Sequence, residues 1–192
     1  MVQNLIIAGV FRSGKSTISN MVSKKYGYQH IVMDSINEGF EKVFPILGID
    51  TKAKMDDIER LCGISKTIAP FINAMLKSGR YNEFKPGMVL DVYELLPMDY
   101  IKYIKQDNCK IFYFLSENIT PEERLKIFRE YDTKSHYSYN MPEKELLEFC
   151  NRLIRENEYI KKQCIEYNLP FFETSKDRNE VFKKFIELIK NS

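Results

Sequence analysis

The stretch Asn4-Leu5-Ile6-Ile7-Ala8-Gly9-Val10-Phe11-Arg12-Ser13-Gly14-Lys15-Ser16-Thr17 constrains this chain more than any other. A short aliphatic run breaks into a loop bounded by Gly9 and Gly14, and the loop delivers one lysine and two hydroxyls to the start of a helical pattern. It matches the phosphate-cradling pattern G-x-x-x-x-G-K-[ST], with a strand-like segment before it and a helix after it.

Leu5 to Ala8 reads as a strand buried on both faces of a parallel sheet. Beyond the loop, Ile18, Met21, Val22 and Tyr26 repeat at helical spacing and Gly27 offers a C-cap, so a helix is expected from about Lys15 to Tyr26. A helix N-terminus then lies under the loop. Backbone N–H groups can turn toward anionic oxygens there, and the helix dipole adds positive potential. Gly9, Phe11, Arg12, Ser13, Gly14, Lys15, Ser16 and Thr17 are the candidate nucleotide-binding residues. Lys15 is expected to bridge the terminal phosphates of a nucleotide and Ser16 to ligate Mg²⁺.

Two more segments end in an acid where an open α/β sheet places ligands, beyond the carboxyl ends of its strands. Tyr28 to Met33 reads as strand two and closes on Asp34, which either orients or deprotonates a substrate or simply caps the helix Ile36 to Val43. Gly87 to Asp91 reads as strand three, and Asp91 either holds Mg²⁺ or substrate or caps the following turn. Between them lies a helical insertion, residues 35–86, with helical patterns at Lys54 to Leu61 and Ile64 to Lys77, the second broken by Pro70. It is too long for a simple crossover helix and is expected to lean over the phosphate site. Arg60, Lys66, Lys77 and Arg80 are its basic residues, and Arg80 is favoured as a substrate contact because it precedes the strand leading back to the site.

Pro97 to Gln106 is expected to form a short helix and Lys110 to Leu115 a fourth strand. Thr120-Pro121-Glu122-Glu123 has the form of a capping box with proline at the first helical position. That helix carries Arg124 and Arg129 and runs into the polar, tyrosine-rich segment 131–140, so residues from about 118 to 141 read as a lid. Its arginines are either a clamp for transferring phosphoryl charge or a solvated face paired with Glu123 or Glu130. Pro142 to Tyr167 reads as a long amphipathic helix. Leu169 to Phe172 reads as a fifth strand, and Val181 to Ile189 as a closing helix.

This order of elements, across essentially the whole chain, resembles the P-loop small-molecule and nucleotide kinases, the group of shikimate, gluconate, adenylate and thymidylate kinases. The resemblance implies an α/β, three-layer P-loop NTPase fold with a five-stranded parallel sheet in the order 2-3-1-4-5. It also implies an acceptor-binding insertion, a lid closing over ATP, and an adenine-contacting loop from Thr174 to Arg178, with Ser175 and Arg178 as nucleotide contacts. Departures leave the acceptor open. The chain lacks the triple glycine of shikimate kinases and has Asp34-Ser35-Ile36 in place of their D-x-D. Phe11 stands beside Arg12 where some thymidylate kinases carry Asp, and Asp91-Val92-Tyr93 is not their D-R-[YHS].

With 192 residues the chain suits one domain, 1–192. A net charge of +2 offers no basic excess for nucleic acid polymers or anionic membranes. Cys62, Cys109, Cys150, Cys164, His30 and His136 make no zinc pattern, and no apolar run is long enough to span a bilayer. The expectation is a cytoplasmic, monomeric or homodimeric kinase taking ATP, Mg²⁺ and a small-molecule or nucleotide acceptor. Lys15, Asp34, Arg124 and Arg129 are its candidate catalytic residues, Asp34, Arg80 and Asp91 its acceptor contacts, and Ser16 and Asp91 its metal ligands. A GTPase switch is the first alternative, but no N-K-x-D occurs and Asp91 begins D-V-Y-E rather than D-x-x-G. The second is a nucleotide-binding module without transfer chemistry.

Overall fold

The computed structural model describes residues 4–51, 57–78, 87–105, 107–134 and 136–190. Five parallel strands form one sheet in the order β2-β3-β1-β4-β5: β1 (Asn4–Gly9), β2 (Gln29–Val32), β3 (Met88–Val92), β4 (Cys109–Leu115) and β5 (Phe171–Glu173). In β1, Leu5 and Ile7 face one side while Ile6 and Ala8 face the other, and all four are buried. A central parallel strand covered on both faces needs apolar residues at every position, which is why β1 carries a continuous apolar run.

Helices α1 (Lys15–Tyr26) and α7 (Arg178–Lys190) cover one face, packing Ile18, Val22, Phe182, Phe185 and Ile189 on Leu5, Ile7, Phe112 and Phe114. On the other face lie α3 (Asp57–Lys77), α4 (Pro97–Asp99, continued by a π turn at Tyr100–Ile104) and α6 (Glu143–Glu166). Helix α2 (Met33–Val43) follows β2 directly. Helix α5 (Pro121–Tyr131) and the turns after it build a separate small core of Phe128, Leu146, Phe149, Cys150 and Leu153 against α6.

Several boundaries differ from the sequence expectation. The insertion has one helix over Asp57–Lys77, with Pro70 inside it, because buried Ile64, Ile68, Ala69, Ile72 and Leu76 tie both halves to the same core; burial there outweighs the cost of the proline. Strand β2 ends at Val32, and Asp34 already lies in the first turn of α2. The helix after β3 ends at Ile104, in a π turn. Among the described residues no helix is long and apolar enough to cross a membrane.

Candidate active site

The loop between β1 and α1 is shaped by what its glycines leave out. Gly9 has φ 132°, and a Cβ there would lie 2.0 Å from the Phe114 carbonyl oxygen. Gly14, the N-cap of α1, has φ 92°, and a Cβ there would meet the Phe182 ring at 2.6 Å. Only glycine combines these backbone angles with such close neighbours. Inside the loop, Lys15 Nζ and Ser13 Oγ donate to the Val10 carbonyl oxygen at 2.8 and 2.9 Å. Ser16 and Thr17 stand exposed at the helix N-terminus, while Lys15 is buried.

Asp34 is exposed on its outer side, yet the surrounding protein mass raises its carboxyl above the ordinary range. Lys15 opposes that shift, and Asp91 and Glu38 add to it. Lysine, Asp34 and Asp91 are thus electrostatic neighbours. Val32 is the N-cap of α2, so Asp34 is not the capping residue; its charge still lies in the first turn, which the dipole favours. Asp91 is buried, pairs in register with Ile7 and Val32, and lies with its Oδ2 3.8 Å from His30 Nε2. That Oδ2 accepts no hydrogen bond among the described residues.

Behind Asp34 lies a buried polar wall. Asn37, one helical turn on, donates through Nδ2 to Glu94 Oε2 at 3.0 Å. Arg60 reaches Glu94 with Nη1 at 3.8 Å and Tyr93 Oη with Nη2 at 3.5 Å, and Tyr93 Oη donates to Glu156 Oε2 at 2.6 Å. The Tyr93 ring carries Lys15 Nζ 5.5 Å and the Arg60 guanidinium 5.7 Å from its centroid, distances at which a cation is attracted to the ring. Burial and the neighbouring Asp34 push Glu94 up to about 7, against the opposing pull of Arg60. Burial and Glu156 hold the Tyr93 hydroxyl well above its usual value.

The lid is joined to the loop through Phe11 and Arg12. Phe11 lies among Phe128, Tyr137 and Phe149, with ring centroids 5.8 to 5.9 Å away. Arg12 has φ 63° and pairs with Asp132, which also accepts from Ser138. Buried Arg124 donates to the carbonyl oxygens of Phe11, at 3.4 Å, and Ser116, and burial lowers its pKa. Exposed Arg129 binds the carbonyl oxygens of Tyr139 and Met141 at 3.1 and 2.6 Å, closing the flap on itself. A cavity of about 360 Å³ lies within the lid, lined by Phe128, Arg129, Asp132, Tyr139 and Asn140.

On the far side of the loop, Thr174 Oγ1 lies 2.9 and 2.8 Å from the Ser13 and Leu115 carbonyl oxygens. Arg178 donates to the Arg12 carbonyl oxygen at 3.0 Å, with its pKa lowered by burial and by Arg12. Ser175 bonds Glu173. The structure therefore brings the phosphate loop, Asp34, Asp91, Arg124 and Arg178 into one region, whereas Arg80 lies outside the described residues. Sequence reading assigned no role to Asn37, Tyr93, Glu94, Glu156 or His30. One signal was available: Tyr93-Glu94 directly after an apolar strand, with Asn37 three residues past Asp34, marks polar side chains carried into an otherwise apolar interior.

No protein-family model matches the chain, and no curated protein matches it. Solved structures do. A shikimate kinase from Acinetobacter baumannii in complex with shikimate has a TM-score of 0.58 at 16% identity, covering 100% of this chain and 94% of its own. A shikimate kinase from Bacteroides thetaiotaomicron gives 0.58 at 15% identity, covering 99% of each chain. A deoxyadenosine kinase from M. mycoides, with the products dCMP and dCDP bound, gives 0.52 at 15% identity, covering 98% of this chain and 100% of its own. Identities this low speak to architecture, and the architecture is that of the P-loop nucleotide and small-molecule kinases.

Proposed function

We propose that this protein is an ATP- and Mg²⁺-dependent phosphotransferase that moves the γ-phosphoryl group to a small-molecule hydroxyl or to a nucleotide. One observation carries the reading: Asp91 pairs in register with Ile7, in the strand that enters the phosphate loop, and with Val32, two residues before exposed Asp34. A candidate base and a candidate metal ligand thus stand beyond the strand ends, next to the loop that carries Lys15.

The residues present fit the donor and its metal. Gly9 and Gly14 leave the loop to backbone amides, Ser16 is exposed, and Asp91 keeps a buried oxygen with no hydrogen bond among the described residues. Ser16 and Asp91 would hold Mg²⁺, whose charge offsets that of the phosphates. Lys15 and the loop amides hold the β- and γ-phosphates, and Ser175 and Arg178 lie on the adenine side. Asp34 takes the proton of the acceptor hydroxyl as the new O–P bond forms and the bond to the β-phosphate oxygen breaks, leaving ADP with that electron pair. Arg124 brings its charge to the loop from beneath Phe11, and Arg129 holds the flap that shields the transfer from water. Arg80 is proposed as an acceptor contact on its place in the chain alone.

The test is turnover with ATP and Mg²⁺ across sugars, polyols, amino sugars, nucleosides and nucleoside monophosphates. Phosphorylated product well above a Lys15→Ala control is expected, and none with any acceptor ends the proposal.

A further inference from the structure

Tyr93 is the first residue past β3, two beyond Asp91, and its ring meets the lysine of the phosphate loop. The ammonium of buried Lys15 lies 5.5 Å from the ring centroid and donates to the Val10 carbonyl oxygen at 2.8 Å. Two helices from elsewhere in the chain hold that ring. From α6, Glu156 Oε2 accepts from the Tyr93 hydroxyl at 2.6 Å. From α3, Arg60 places Nη2 3.5 Å from the same hydroxyl and its guanidinium carbon 5.7 Å from the ring centroid. Both Glu156 and Arg60 are buried, and Arg60 also lies against Glu94, with Nη1 3.8 Å from Oε1. The ring is therefore set by packed interior groups, while its face is turned to use by the loop.

Lysine loses more rotamer freedom than most side chains when it is fixed. A loop whose lysine is already seated binds phosphate without that loss. Asp34 feels the charge of Lys15, and an ammonium free to swing would be drawn toward it. An aromatic face suits the seat better than a carboxylate would. It attracts the ammonium through the ring quadrupole, yet it neither neutralises the charge nor locks the N–H donors into an ion pair. The hydrogen bond that phosphate oxygens must exchange is then the one to the neutral Val10 carbonyl.

Resting on the phosphotransfer reading above, we infer that Tyr93 is a positioning residue for Lys15: its ring, fixed by Glu156 and Arg60, seats the ammonium for the β- and γ-phosphates of ATP. Tyr93 acts through Lys15 and touches no reacting atom. Because α3 reaches the ring through Arg60, the same contact ties the phosphate loop to the helical insertion.

Binding of ATP with Mg²⁺ tests this without any acceptor, by calorimetric titration of the full chain and of its Tyr93→Phe, Tyr93→Leu, Lys15→Ala and Lys15→Ala/Tyr93→Leu variants. Tyr93→Leu is expected to weaken ATP binding by about tenfold, the scale of the rotamer freedom it releases in Lys15. Tyr93→Phe keeps the ring and is expected to stay within about threefold of the parent. With Lys15 already replaced, Tyr93→Leu is expected to cost nothing further, as for two residues acting as a unit. Parental affinity in Tyr93→Leu, or an equal loss with and without Lys15, overturns the inference and leaves the phosphotransfer reading standing. A second measurement needs no change at Tyr93. With carbon-13 at the lysine ε positions, the Lys15 ε-methylene protons, assigned with Lys15→Arg, are expected upfield of free lysine through the ring current. A free-lysine position overturns the inference even where the leucine variant does not fold. Absence of ATP binding by the parent ends the phosphotransfer reading, and this inference with it.

Discussion

The ring of Phe11, in the phosphate loop, stacks on the ring of Phe128, in the lid, with centroids 5.9 Å apart and planes 13° apart. The loop therefore touches the lid through a side chain at its own tip. Aromatic pairs contribute about 0.5–1.5 kcal/mol beyond the area they bury, and Phe11 makes three such contacts. Phe11→Ala is expected to loosen the lid more than the sheet. Hydrogen exchange should accelerate across 131–141 while amides of β1 and β4 keep their protection; uniform acceleration would show that the ring supports the whole fold instead.

Arg12 adopts a left-handed backbone conformation, which costs a non-glycine residue on the order of 1–2 kcal/mol. Its pairing with Asp132 and the bond from Arg178 to its carbonyl oxygen hold it there. Arg12→Gly and Arg12→Ala lose the same side-chain contacts but differ in backbone preference. The glycine variant is expected to be the more stable of the two by about 1 kcal/mol, read from urea midpoints at equal slope. Equal midpoints would mean that the loop relaxes out of this conformation.

Glu94 titrates near 7 in the folded protein, above its ordinary 4.5. Between those values the unfolded chain has lost the proton and the folded one has kept it, so stability falls as pH rises through this window and levels off above 7. The full drop is on the order of 3 kcal/mol. Asp34, shifted the same way, adds a contribution of the same sign. Glu94→Gln should flatten the difference between urea unfolding at pH 5 and at pH 7.5. A difference as large as that of the parent protein would remove Glu94 as its source.

If Asp34 accepts the acceptor proton, activity requires its ionised form. Because its carboxyl lies above the ordinary range, the acid limb of kcat/KM is expected above that range too. Asp34→Asn should lower kcat by roughly 10²–10⁴ and leave thermal stabilisation by ATP intact. A variant retaining its rate would show that Asp34 only orients.

Thermal stabilisation by ATP is expected to exceed that by GTP at equal concentration. Preference for GTP would favour the switch reading, despite the missing N-K-x-D.

The phosphate-loop pattern with its strand and helix was legible because it is local. Gly9 to Thr17 is one contiguous run, and its strand and helix are set by apolar spacing within a few residues. Strand order followed from a resemblance, and the register of Asp91 beside Ile7 and Val32 agrees with it. The polar wall behind Asp34 was not legible. Asn37, Arg60, Glu94 and Glu156 come from α2, α3, the β3–α4 connection and α6, and no spacing within one element reports a meeting of four. Arg124 and Arg129 show the converse: the sequence placed both on one helix, but only packing shows that one is buried under the loop and the other ties down the flap. The aromatic join of Phe11 to the lid was equally hidden, since a phenylalanine in a glycine loop gives no sign of where its ring goes.

The missing side chain of Gly9 has a further consequence. Where its Cβ would lie, the carbonyl of Phe114 passes, and two residues further, just past the end of β4, is Ser116, whose carbonyl receives Arg124 from the lid. The phosphate loop and the root of the lid are therefore fastened to one another across a gap with no slack. Any change that shifts β4 along its axis carries the loop and the lid arginine by the same amount. Loop and lid root thus take their position from one common reference, the end of β4.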